Sequence, residues 1–138
     1  MKKTELEVRL GNHYSELPRL IASVEEFLES HDAPVNVAYK AHLALEEMCT
    51  NVIKYGYDDK EKHEILIFLS QQPHRLSIRI EDDGHEYNPL ATAAPDLDKP
   101  LAERPIGGLG IHLVKKSMSA IEYHRENGRN ILEMHLDY

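Results

Sequence analysis

Cysteine is almost missing from this sequence: Cys49 is the only one in 138 residues. A lone thiol excludes an intramolecular disulfide, and its place between Met48 and Thr50 in an apolar helical stretch suits a small buried side chain. Long apolar runs are missing too. None approaches the roughly 20 residues that a membrane-spanning helix needs, and with 41% hydrophobic and 29% charged residues the composition is that of a soluble globular protein. Behind Met1-Lys2-Lys3 the chain runs straight into Thr4 and Glu5, without a signal-peptide-like apolar stretch, so a reducing cytoplasm is the expected location. An excess of positive charge is the third absence. The formal net charge of −8 argues against sequence-independent affinity for nucleic acid, which depends on clustered Lys and Arg. The acidity serves solubility, or a partner with a basic patch. No internal repeat and no Cys/His cluster of the kind that holds zinc occurs.

What is there reads as a single domain over residues 1–138. Leu6, Val8 and Leu10 alternate with charged neighbours, predicting a half-buried strand over Glu5 to Leu10. Ser15 is placed to cap a helix running to about Ser30, with Pro18 in its first turn. Pro34 opens a second helix, which Gly56 ends and whose apolar stripe is Ala41, Leu45, Met48 and Val52. Strands follow over Ile65 to Ser70 and Leu76 to Glu81, joined through Gln72-Pro73-His74. A long loop from His85 to Ile106 carries four prolines, and glycines at 107, 108 and 110 then lead into a short helix over Ile111 to Lys116. Strands over Ala120 to Arg125 and Asn130 to Leu136 flank the hairpin pair Asn127-Gly128. The expected fold class is α+β, one mainly antiparallel sheet with helices on one face.

Three segments carry candidate chemistry. Glu47 and Asn51 stand four apart on the second helix, so both project from one face beside the apolar stripe. A carboxylate there can orient or deprotonate a hydroxyl, and an amide oxygen is a hard ligand of the kind magnesium favours; taken alone, the pair also reads as a solvated helix edge. In Glu81-Asp82-Asp83-Gly84 an alternating strand ends in a glycine turn. Asp82 there can accept a hydrogen bond from an exocyclic amine, though a capped turn accounts for the same residues. Arg104 to Leu113 is a glycine-rich loop opening into a helix, whose first amides are free to hold phosphate oxygens or simply to form a flexible helix entry. It matches neither the P-loop nor the dinucleotide fingerprint.

Taken in order, these parts resemble the Bergerat-fold ATPases, the superfamily of gyrase, Hsp90 and histidine-kinase ATP domains. More narrowly, Glu47-Met48-Cys49-Thr50-Asn51 with Lys54-Tyr55-Gly56-Tyr57, Asp82-Asp83-Gly84 with Asn88-Pro89, and the stretch from Arg104 to Val114 are similar to the bacterial anti-sigma-factor serine kinases. The resemblance implies a two-layer α/β sandwich using ATP and Mg2+. It implies Glu47 as general base, Asn51 as magnesium ligand, and Asp82 as the adenine-recognising residue with Gly84 allowing close approach. Gly107, Gly108, Leu109 and Gly110 would lie against the phosphates, under a lid formed by residues 85–106. The superfamily often has a late-strand Thr near the nucleotide, where the corresponding region of this chain reads Asn130-Ile131-Leu132-Glu133-Met134.

The function so implied is an anti-sigma regulatory factor with serine/threonine protein kinase activity. Its partners would be a sigma factor and a STAS-type anti-sigma-factor antagonist, with no direct contact to nucleic acid or membrane, and a homodimer is expected. Two alternatives stand beside it. One is a nucleotide-gated protein-binding module without phosphotransfer, the other a free-standing ATPase of the same fold.

Overall fold

The computed structural model describes residues 3–91 and 108–138. Its elements are β1 (Glu5–Gly11), α1 (Leu17–Ser30), α2 (Val35–Tyr55), β2 (Glu64–Gln72), β3 (Arg75–Asp82), α3 (Gly108–Ser117), β4 (Ala120–Glu126) and β5 (Arg129–Asp137). The five strands form one fully antiparallel sheet in the order β1-β2-β3-β5-β4. Strand alternation supplies its inner face. Val8 and Leu10, Ile65, Ile67 and Leu69, Leu76, Ile78 and Ile80, and Leu132, Met134 and Leu136 are all buried. The helices cover this face with Leu20, Val24, Phe27 and Leu28 from α1, Val37, Ala41, Leu45 and Met48 from α2, and Ile111 and Val114 from α3. Each large apolar side chain so buried contributes about 1.5–3 kcal/mol to the driving force.

Two local readings change. Ser15 does not cap α1: it lies in a short 3-10 turn, Tyr14–Glu16, and Glu16 takes the N-cap position without a side-chain bond to the helix. Its carboxylate is engaged elsewhere, accepting the Gly11 N–H at 3.2 Å and facing Arg19, so it ties the helix entry to the end of β1. The α3 glycines are the second difference. Gly108 and Gly110 belong to the helix itself rather than to a loop ahead of it. Pro18 does sit in the first turn of α1, Gly56 is the C-cap of α2, and Asn127 and Gly128 take φ values of 51° and 75°, the left-handed pair that a tight hairpin turn requires.

β5 enters the sheet beside β3, with β4 outside it. This register sets Asn130, at the start of β5, opposite Asp82, at the end of β3.

Candidate functional site

On α2, one face of the helix faces the sheet, and Glu47 and Asn51 stand at its margin. Asn51 is buried at 7% exposure, although its type is usually solvated. Among the described residues its side chain has no hydrogen-bond partner. Glu47 is half-buried, and burial, with a smaller contribution from the neighbouring Glu46, holds its carboxyl above the ordinary carboxylate range. Cys49, fully enclosed on the core side, is inert: burial pushes its thiol up to about 12.

At the end of β3, Asp82 is only 4% exposed. Its Oδ1 accepts the Gly84 N–H at 2.9 Å, so the carboxylate does close the turn. The same oxygen accepts the Asn130 Nδ2 amide at 2.9 Å, which leaves Oδ2 without a partner among the described residues. Burial pushes the Asp82 carboxyl up, while the bonds from Asn130 and Gly84 pull it back. The room that Gly84 provides is filled by the protein. A Cβ there would run into the Gly56 carbonyl, whose oxygen accepts the His85 N–H at 2.9 Å. The close approach is thus of the α2 C-terminus to the turn.

Asn130, 5% exposed, is the hub of this region. Its Nδ2 donates to Asp82 and to the His85 carbonyl at 2.8 Å. Its Oδ1 accepts the Tyr123 hydroxyl at 2.6 Å, the Arg125 guanidinium at 3.0 Å and the Tyr87 N–H at 3.3 Å. Asp82, Asn51 and Asn130 line one cavity, walled by Met48, Val52, Ile80 and Leu132 and covered by Tyr87, Pro89 and Tyr123. Its volume is about 20 Å³, room for a single water.

α3 brings the remaining residues to this end of the sheet. A Cβ on Gly110 would collide with the Glu47 carboxylate, so this carboxylate lies directly on the first turn of α3. Leu109 is 38% exposed. The structure therefore brings Asn51 and Asp82 to one cavity and Glu47 to Gly110, with Gly108 and Leu109 in the same helical turn. Gly107, and residues 92–106 of the expected lid, lie outside the described residues.

This arrangement, a carboxylate on a helix N-terminus beside a buried Asp/Asn cavity, coincides with a family match. A model of the histidine kinase-like ATPase domain matches residues 12–136. The chain belongs to this family. Among curated relatives, the serine/threonine-protein kinase BtrW of Bordetella bronchiseptica is 28% identical over 92 residues, covering 67% of this chain and 65% of that protein. A serine-protein kinase RsbW of Bacillus cereus is 30% identical over 94 residues, covering 65% and 58%. The match thus spans less than two thirds of either relative's length. Among solved structures, the Acinetobacter baumannii histidine kinase AdeS aligns over 94% of this chain and 67% of its own at a TM-score of 0.51 and 14% identity, a likeness of fold alone.

Membership in the histidine kinase-like ATPase family implies ATP as the nucleotide. The residues of this ATPase domain also fit a magnesium ion, since Asn51 offers a buried amide with no protein partner beside the cavity. The residue that motif reading did not bring into this site is Asn130. Its only signal in the sequence is a polar residue ahead of the alternating apolar residues of the last strand, in the region where the superfamily often has a Thr.

Proposed function

We propose that this chain is an ATP-dependent serine/threonine protein kinase that acts as an anti-sigma regulatory factor, sequestering a sigma factor and phosphorylating a serine on a STAS-type antagonist. The placement of the Glu47 carboxylate on the first turn of α3, one helical turn from Asn51, carries the kinase half of this reading. The relatives named serine/threonine-protein kinase BtrW and serine-protein kinase RsbW also support the kinase half, and the anti-sigma half rests on the motif resemblance. The same reading takes residues 1–138 as one ATP-binding domain that works as a cytoplasmic homodimer.

In this mechanism Oδ2 of Asp82 accepts a hydrogen bond from the adenine 6-amino group. The backbone amides of Gly108, Leu109 and Gly110 face the phosphates at a helix start where no intrahelical acceptor competes for them, and Gly107, outside the described residues, is assigned the same role. The Asn51 amide oxygen would hold magnesium, which would supply neutralisation of the phosphate charge. Glu47 takes the proton of the incoming serine hydroxyl as its oxygen bonds to the γ-phosphorus and the bond to the β-phosphate oxygen breaks, releasing ADP. Desolvation of Glu47 makes it a stronger base than a surface glutamate. For the base to enter, Tyr87 and Pro89 must move off the cavity.

The test is phosphotransfer from γ-labelled ATP to STAS-domain proteins encoded beside the gene, with the modified residue located by mass spectrometry. Phosphoserine on one of them, lost in Glu47→Gln, is expected. ATP-dependent complex formation without transfer would replace the kinase by a nucleotide-gated sequestering module. Steady phosphate release with no protein acceptor would replace it by an ATPase.

A further inference from the structure

Asn130 spends every hydrogen-bonding position it has. Two carboxylate or carbonyl acceptors, Asp82 Oδ1 and His85 O, lie at one end of its amide, and three donors, from Tyr87, Tyr123 and Arg125, lie at the other. The amide can therefore sit only one way round, with Nδ2 toward Asp82. No N–H remains for a ligand, so Asn130 acts on the pocket through Asp82.

We propose that Asn130 is the positioning residue that sets the base preference of this pocket: it pins Oδ1 of Asp82 and keeps that carboxylate an acceptor only, so that Oδ2 takes a 6-amino and rejects a 6-oxo purine. The proposal rests on the reading of Asp82 as the adenine-recognising group. An ionised carboxylate has no proton to give, and a 6-oxo group none either, so the two acceptors would face each other unpaired. A protonated Asp82 would instead donate and accommodate the wrong base.

The surroundings make this state a close contest. Burial and the charge of Asp83 disfavour a negative charge at Asp82. Against them stand the Asn130 amide, the Gly84 N–H and the Arg125 guanidinium, which also donates to the Gly84 carbonyl at 2.9 Å. Of these opposing groups Asn130 has the largest effect. It is also the one held rigidly, by the β3–β5 register and by five bonds of its own.

ATP and ITP differ in the purine 6-substituent and at the neighbouring N1, an acceptor in adenine and an N–H in hypoxanthine, so calorimetric titration of both across a series of pH values reads the proposal. Wild-type protein is expected to prefer ATP and to lose affinity as acid protonates Asp82. Asn130→Asp keeps the shape but replaces the donor by a second carboxylate. Its ATP affinity should fall on the order of tenfold or more at pH 8, and recover on acidification as the pair takes up a shared proton, giving a slope opposite in sign to wild type. Asn130→Ala should narrow the ATP/ITP ratio by about tenfold; should it fail to fold, the isosteric Asp variant still decides. A wild-type pH slope and ATP/ITP ratio in Asn130→Asp would overturn the proposal. So would a uniform loss of affinity at every pH with the ratio unchanged, the mark of a merely structural role. Wild-type protein that binds ATP, with weakening in Asp82→Asn, keeps the pocket reading standing whichever way Asn130 falls. No ATP binding by wild type would overturn both.

Discussion

The two faces of the sheet carry two concavities of very different size. On the outer face, Glu5, Glu7, Phe68, Ser70, Ser77, Arg79, Glu122, Glu133 and His135 line an open hollow of about 770 Å³. On the helix side the Asp82 cavity measures about 20 Å³. Yet the acidic groups of the outer hollow are exposed to solvent, and the Arg79 guanidinium lies 4.5 Å over the Phe68 ring and 3.2 Å from Glu81, which also faces Arg129 at 3.5 Å, although Arg79 Nε makes no hydrogen bond. The small cavity holds three buried polar side chains, Asn51, Asp82 and Asn130, and two of them keep valences that the described residues do not fill. Buried polar groups cost free energy unless paired, so the unfilled ones mark the place where a ligand is worth most. Volume alone does not.

If that contrast is right, substitutions on the two faces must separate sharply in effect. The largest is expected for Glu47→Gln, which should lower phosphotransfer by about 10²–10⁴-fold and leave ATP affinity nearly unchanged in calorimetry. Retained transfer would remove Glu47 as the base. Asp82→Asn comes next. It replaces a charged acceptor, and ATP affinity should fall roughly 10- to 100-fold, whereas equal affinity would move adenine recognition elsewhere.

Smaller effects fall on stability. In Gly84→Ala the added carbon meets the Gly56 carbonyl, a backbone atom that cannot easily give. A loss of about 1–3 kcal/mol, read as a lower thermal midpoint, is expected, and an unchanged midpoint would show that the turn and the α2 terminus can slide apart. Next to this turn, His63 lies between Asp59 at 2.7 Å and Asp83 at 3.2 Å and stacks on Tyr57. The bond to Asp59, then that to Asp83, raises its pKa. A raised folded-state value means stabilisation that is complete below the unfolded value near 6.5 and disappears as pH rises through the folded one. The thermal midpoint of wild type relative to His63→Gln should therefore shrink on passing from acid to alkaline buffer, and a constant gap would mean that the imidazole is neutral throughout. Least affected should be Arg79→Ala on the outer face. Its exposed ion pair and ring contact are worth about 1 kcal/mol at most, and nucleotide titration should not distinguish it from wild type.

Much of this was legible in the chain because it is local. Strand alternation at Leu76, Ile78 and Ile80, helical spacing at Ala41, Leu45 and Met48, and the Asn127-Gly128 turn depend on residues a few positions apart, and each reading matches the observed element. Glu47 and Asn51 share a helix face by their spacing of four, and Asp82 and Gly84 share a turn, so their grouping needed no tertiary information. Ser15 misled for the same reason turned round. Its type suits a cap, but the chain enters α1 through a 3-10 turn fastened to β1 by Glu16, a contact across the fold.

By itself, then, the sequence determined the α+β class, the element order and the two local pairs that identify the family, because backbone geometry imposes periods of 2 and 3.6 wherever a segment lies. Only the tertiary structure decided that Asn130 stands against Asp82 across 48 residues of chain, and that the first turn of α3 lies under the Glu47 carboxylate. Strand order and helix docking are set by how the whole apolar face closes. No window of sequence contains that closure, and at this end of the sheet it brings the partners of the buried charge together.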